Sequence, residues 1–140
     1  MKKEKCLFCD IVSNNINCYK VFENEFVLAF LDISPISRGH TLVITKEHYD
    51  TYLDMNPLES ANYFKYVNII AKHIKNKLNC NGLTLLVNIG KEAGQEIMHQ
   101  HVHIIPKWND YNLIYQDFSS IKKDININKN YFFELVKQLH

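Results

Sequence analysis

No stretch of this sequence approaches the roughly eighteen apolar residues of a membrane-spanning helix, so no membrane partner is expected. The segment from Met1 to Cys6 carries charges and no apolar run follows it, which gives no sign of a secretory leader. An excess of one charge is also lacking. Sixteen basic and fifteen acidic side chains leave a formal charge of +1. No basic patch stands out, so nucleic acid is not an expected partner. Internal repeats and low-complexity tracts are absent. These absences point to a cytoplasmic protein. In that reducing setting the four cysteines are expected to stay thiols or to bind metal. Cys18 and Cys80 have no partner in sequence and read as ordinary buried or half-buried thiols. Cys6 and Cys9 form the one closely spaced pair.

What is present suits one domain over residues 1–140, with 46% apolar residues to build a core. Phe8, Ile11, Val12 and Ile16 are spaced for a short helix over 8–16. Strands are predicted at 19–23, 26–31, 41–45, 83–89 and 97–105, the last closed by Pro106. Pro and Gly punctuate a loop over 34–40, and 90–94 reads as another loop. Asn56-Pro57 is a helix start, with Asn as cap and Pro at the first position. Tyr63, Val67, Ile70, Ile74 and Leu78 then recur at helical spacing, and Asn81-Gly82 is the expected stop. A polar tail leads to a terminal helix over 128–139, built on Tyr131, Phe132, Leu135 and Val136. The reading is an α+β fold: a mostly antiparallel sheet, one long helix and short terminal helices.

The informative segment runs from Gly94 to Pro106. His99, His101 and His103 alternate along a predicted strand, so they share one face about 6.6 Å apart. Met98, Gln100, Val102 and Ile104 fall on the other face, mostly as core. One strand therefore offers a row of imidazoles to a single site, and imidazole is the usual acid, base, nucleophile and ligand near neutral pH. The plainer alternatives are a histidine-rich surface strand or an adventitious metal site.

The pattern His-x-His-x-His-x-x, preceded by Gly94-Gln95 and followed by Ile105-Pro106, resembles the signature of the histidine triad family. The resemblance extends to Cys6-Leu7-Phe8-Cys9-Asp10-Ile11-Val12, Phe22-Glu23, the run from Ala29 to Pro35, the run from Arg38 to Ile44, and Lys46-x-His48. It covers residues 6–107 in order, leaves a tail over 108–140, and is closest to the Hint branch and its zinc-containing bacterial members. Gln100, Asn17 and Thr45 depart from the usual pattern without consequence for the chemistry. Glu96 stands where many relatives have a phosphate-contacting Ser or Thr, so only its backbone N–H is assumed able to serve.

The resemblance implies a HIT-like fold and a purine nucleotide substrate. It also implies attack at the α-phosphate by His101, in two steps through a nucleotidyl-histidine. It places His103 and Gln95 on the phosphoryl oxygens or the leaving group, where donors stabilise growing charge. Asn88 would contact phosphate or substrate, and Asp32 would accept the ribose hydroxyls. Read alone, Asp32 is a turn or cap residue. Phe8, Ile11, Phe30, Ile33 and Leu42 would wall the purine, although alone they read as core. His40 takes a supporting role, orienting, relaying or structural. His73 and His140 are expected to be uninvolved, and Trp108 to face a partner subunit or to cap the core.

Cys6-x-x-Cys9 has the spacing of a zinc half-site, and no thioredoxin-like pattern surrounds it to favour redox chemistry. The resemblance completes the set with His48 and His99. Four protein ligands make a closed, structural zinc site. The resemblance also implies a homodimer. The leading activity is a purine nucleoside phosphoramidase. The alternatives are a dinucleoside polyphosphate hydrolase and, from another class, a nucleotide-binding scaffold with incidental catalysis. The chain is too short for a galactose-1-phosphate uridylyltransferase.

Overall fold

The structure is a computed structural model that describes residues 5–109 and 127–140. The polar part of the predicted tail lies largely outside the described residues. Five strands form one antiparallel sheet in the order β1-β2-β3-β5-β4. They are β1 (Lys20–Glu23), β2 (Val27–Leu31), β3 (Thr41–Thr45), β4 (Gly82–Leu86) and β5 (His101–Lys107). Helix α1 (Leu7–Val12) precedes them, α2 (Pro57–Leu78) joins β3 to β4, and α3 (Tyr131–Leu139) ends the chain. Short 3-10 turns occupy Tyr52–Asp54 and Lys91–Ala93. This is the expected α+β fold.

The alternation along each strand sorts side chains into two cores. Val27, Ala29 and Leu31 of β2, Val43 of β3, and Val102 and Ile104 of β5 pack with Tyr63, Val67, Ile70 and Ile74 of α2. Tyr131, Leu135 and Leu139 of α3 complete that layer, and Trp108 packs against it. On the other face Leu28, Phe30, Leu42 and Ile44 meet Phe8, Cys9 and Ile11 of α1. The period of two in a strand makes this division automatic.

Helix α2 starts where the sequence indicates. Asn56 accepts from the Glu59 N–H and Glu59 accepts from the Asn56 N–H, a reciprocal cap. It ends at Leu78, as the helical spacing indicates, although the stop is Asn79 and not Asn81-Gly82. Asn79 takes the left-handed conformation (φ 53°) there, and Gly82 opens β4 instead. α1 is shorter than the predicted 8–16, and β4 ends before Val87. β5 begins at His101, not Ile97, and runs through Pro106 to Lys107. Pro106 is tolerated because β3 pairing ends at Ile104; its carbonyl then accepts from the Ser37 hydroxyl at 2.6 Å.

The loop between β2 and β3 is pinned hard. Gly39 has φ +86°, and an added Cβ would sit 2.3 Å from Leu78 Cδ1, so the chain needs glycine there. The Gly39 N–H donates to the Tyr131 hydroxyl at 3.2 Å, tying α3 to this loop.

Candidate active site

A cavity of about 650 Å³ opens on the α1 face of the sheet. Phe8 and Ile11 of α1, Phe30 of β2, Leu42 of β3, and His101 and His103 of β5 line it. Asp32, Ile33, His40 and Asn88 join them from the loops. The register explains the convergence: His101 pairs with Ile44 and His103 with Leu42, so both rings stand on the α1 face. Phe8 meets Phe30 edge-on at 5.6 Å and His101 edge-on at 5.2 Å. Phe8, Ile11, Phe30 and Leu42 are also buried core, so they serve as packing and wall at once. Ile33 is 74% exposed at the cavity's edge.

Backbone partners fix the tautomers of His101 and His40. His101 Nδ1 lies 2.7 Å from the His99 carbonyl oxygen. A carbonyl only accepts, so Nδ1 carries the proton and Nε2 keeps the lone pair. Burial lowers the His101 pKa and favours that neutral form. His40 Nδ1 accepts from the Ile36 N–H at 3.0 Å, which leaves the proton of neutral His40 on Nε2. That Nε2–H lies 2.9 Å from His103 Nδ1 and 3.5 Å from Asp32 Oδ2. His103 Nδ1 thus accepts, and its Nε2 carries the proton. The chain Ile36, His40, His103 ends in a proton donor beside the His101 lone pair, with the two rings 5.0 Å apart.

Asp32 Oδ1 accepts from the Ser34 N–H at 2.8 Å, so the turn role is real. A carboxylate has about four acceptor sites, and room remains for further donors. Asn88 lines the cavity, and its Nδ2 donates to the Gly94 carbonyl at 3.3 Å. Gln95 corrects the sequence reading. It is buried, and it is not among the residues lining the cavity. Its Nε2 donates to the Asp50 and Ile97 carbonyls at 2.7 and 3.0 Å, and its Oε1 accepts from the Gly90 N–H at 2.8 Å. Its amide thus braces the backbone at Gly90, Asp50 and Ile97.

The third histidine points elsewhere, which corrects the expectation of one row serving one site. His99 precedes β5 and its ring joins Cys6, Cys9 and His48. The four ligand atoms lie within 4.8 Å of one another. Cys6 Sγ is 3.3 Å and Cys9 Sγ 3.6 Å from His99 Nδ1, while Cys9 Sγ is 3.3 Å from His48 Nδ1. The two Nδ1 atoms are 3.1 Å apart. Tetrahedral zinc with bonds of about 2.05 Å to nitrogen and 2.3 Å to sulfur needs edges of about 3.3–3.8 Å. The observed set is close to that.

The tautomers agree with the distances. His99 Nε2 lies 2.7 Å from the Thr45 carbonyl and His48 Nε2 lies 2.7 Å from Asp50 Oδ1. Both Nε2 atoms therefore donate, and both Nδ1 lone pairs face the thiols, as metal-bound imidazoles require. Burial lowers the His99 pKa to about 4, keeping it neutral. Burial raises the Cys6 pKa, so the thiolate needs a cation to form. These residues can hold a metal. The group Asp32, His40 and His103 is equally compact. It fails the same test, because the Ile36 N–H forces the His40 proton onto the nitrogen that would have to ligate. Asp50 was missed in the sequence, although His48-x-Asp50 is a local signal for a carboxylate that orients a ligand. The Thr45, His99 and Ile36 backbone groups carry no sequence signal at all.

His73 contacts the Leu139 carbonyl and, with His140, lines a second cavity that shares no residue with the one around His101. Cys80 is buried and Cys18 half-buried, as free thiols.

The chain matches the HIT domain family over residues 13–110 and belongs to it. It is 44% identical over 105 residues to "Protein hit" of Bacillus subtilis, covering 75% of this chain and 72% of that protein. It is 42% identical to adenosine 5'-monophosphoramidase hnt1 of Schizosaccharomyces pombe, over 75% of this chain and 76% of that one. Adenylylsulfatase HINT3 of Arabidopsis thaliana is 39% identical over 73% of this chain and 52% of its own length. Among solved structures, a histidine triad nucleotide-binding protein of Sulfolobus tokodaii superposes with a TM-score of 0.82 at 41% identity, over 96% of this chain and 89% of that one. A zinc-bound histidine triad protein of Mycobacterium smegmatis superposes at 0.74 and 31% identity, over 96% and 95%.

Proposed function

We propose that this member of the HIT family is a purine nucleoside phosphoramidase that releases AMP through a nucleotidyl-His101 intermediate. The observation that supports it best is the His101 ring, held neutral with its Nδ1–H on the His99 carbonyl, in a cavity with an apolar wall and a carboxylate. Nε2 attacks the α-phosphorus, and the phosphorus–nitrogen bond breaks with its electron pair going to the amine. Water then cleaves the phosphorus–His101 bond, so amine and AMP together take up the elements of one water. The His103 Nε2–H donates to a phosphoryl oxygen or the leaving group and stabilises charge that grows in the transition state. Phe8, Ile11, Phe30, Ile33 and Leu42 take the purine, Asp32 accepts from the ribose hydroxyls, and Asn88 contacts phosphate. His40 orients His103. The phosphoramidase name of the fission-yeast relative supports the same reaction class. Incubation with adenosine 5'-phosphoramidate tests the reading: AMP and ammonia are expected, and their absence refutes it.

The four-ligand cluster is read as a structural zinc site. Zinc supplies charge that keeps both thiols ionised and joins α1, the segment after β3 and the approach to β5. Thiolates that must stay reduced suit the cytoplasm. No helix among the described residues is long and apolar enough to cross a membrane. A homodimer through β4 completes the reading. β4 pairs only with β5 among the described residues, and Leu85 on it is 50% exposed. An open edge of that kind favours pairing with another strand.

A further inference from the structure

The cavity around His101 carries its charge on one side of the ledger only. Asp32 and Glu96 both line it, whereas among the described residues no Lys or Arg does. Glu96 is exposed and forms no ion pair with a described residue. Position 96 directly follows the Gln95 brace, so the carboxylate is carried by a loop that is tied at both ends.

Substrates for attack on an adenosine α-phosphate differ chiefly in what leaves. An amine leaves neutral or, with a basic side arm, beside a positive charge. Phosphate, polyphosphate or sulfate leaves as an anion. Enzymes that handle polyphosphate offset its charge with Arg, Lys or a metal ion. This cavity offers neither cationic side chain among its described lining residues, and it adds a carboxylate. Resting on the α-phosphoryl reading above, we infer that Glu96 is a charge filter for the leaving group. It selects against anionic leaving groups and in favour of amines that carry positive charge.

Glu96→Gln keeps the shape and removes the charge; Glu96→Ser serves as a second variant. Three adenosine substrates are compared: the phosphoramidate of a diamine, the unsubstituted phosphoramidate, and a diadenosine polyphosphate. The ratio of kcat/KM for the diamine compound over the polyphosphate is expected to fall about tenfold in both variants, a loss that shrinks as salt rises. A second arm reads binding without chemistry. ADP puts a charged phosphate where the leaving group goes and AMP does not. The ratio of their dissociation constants, ADP over AMP, is expected to drop severalfold in Glu96→Gln by calorimetry. Turnover with neither ratio changed overturns the filter and leaves the reaction standing. A shifted binding ratio with no turnover of any substrate overturns the reaction and leaves the filter standing. Failure of the wild type to bind either nucleotide overturns both.

Discussion

His101 Nδ1 sits 2.7 Å from the carbonyl oxygen of His99. The same His99 turns its own Nδ1 toward Cys6 and Cys9. One residue thus joins the Cys6, Cys9 and His48 group with its ring and holds the His101 Nδ1–H with its carbonyl. In the proposed reaction that carbonyl leaves Nε2 of His101 as the attacking nitrogen.

The pH profile follows from burial of His101. The neutral ring is the competent form, and burial lowers its pKa from the ordinary 6.5. The neutral form therefore predominates at pH 6.5 and is lost as pH falls through the lower folded value. The acid limb of kcat/KM, which reports the free enzyme, is expected below pH 6.5. A limb at or above 6.5 contradicts the assignment.

Metal content tests the cluster. Protein purified without chelator is expected to carry about one zinc per chain, as one tetrahedral site requires. Cys9→Ser is expected to lose the metal and lower Tm, because the metal binds the folded arrangement and not the unfolded chain. Activity is expected to fall with it only through displacement of the His99 carbonyl, since no coordination position is left for water. His101→Ala is expected to keep the zinc. Elemental analysis that finds no zinc, or chelation that leaves Tm unchanged, removes this part of the account.

Removal of the Asp32 carboxylate tests the ribose contact. Asp32→Ala is expected to weaken AMP binding by about 1.5–3 kcal/mol, the range for hydrogen bonds to a charged group. The loss is expected to be much smaller for a 2',3'-dideoxy nucleotide. Equal losses for the two ligands, measured by calorimetry, rule the contact out. Because Oδ1 also holds the Ser34 N–H, the dideoxy comparison separates the ribose contact from the turn.

Leu85→Lys puts a charge on the open edge of β4 and is expected to shift a dimer toward monomer in light scattering. A wild-type chain that sediments as a monomer at micromolar concentration excludes the edge-to-edge pairing.

Much of this was legible in residues whose local chemistry is unambiguous. The β-branched run Thr41–Thr45 forms a strand with the expected bounds, and Asn56-Pro57 starts α2 as its cap chemistry requires. The end of α2 at Leu78 was legible from the recurring apolar residues, whereas the residue that stops it, Asn79 in the left-handed conformation, was not the expected Asn81-Gly82. Alternation placed His101 and His103 on one face correctly. It failed at His99, which precedes β5 and whose ring joins Cys6, Cys9 and His48. Gln95 was misread for a related reason: a buried amide satisfied by three backbone groups looks, in sequence, like one free to meet phosphate.

Covalent attack by His101 is the central claim, and trapping tests it directly. Wild-type protein is mixed with an adenosine phosphoramidate, quenched under alkaline conditions within the first turnover, and the 95–107 segment is examined by mass spectrometry. The account predicts an AMP adduct on His101 in the wild type. It predicts no adduct and no turnover in His101→Ala, with AMP binding and melting temperature close to the parent. A His101→Ala protein that hydrolyses the phosphoramidate at near the wild-type rate, or an adduct on another residue, contradicts it.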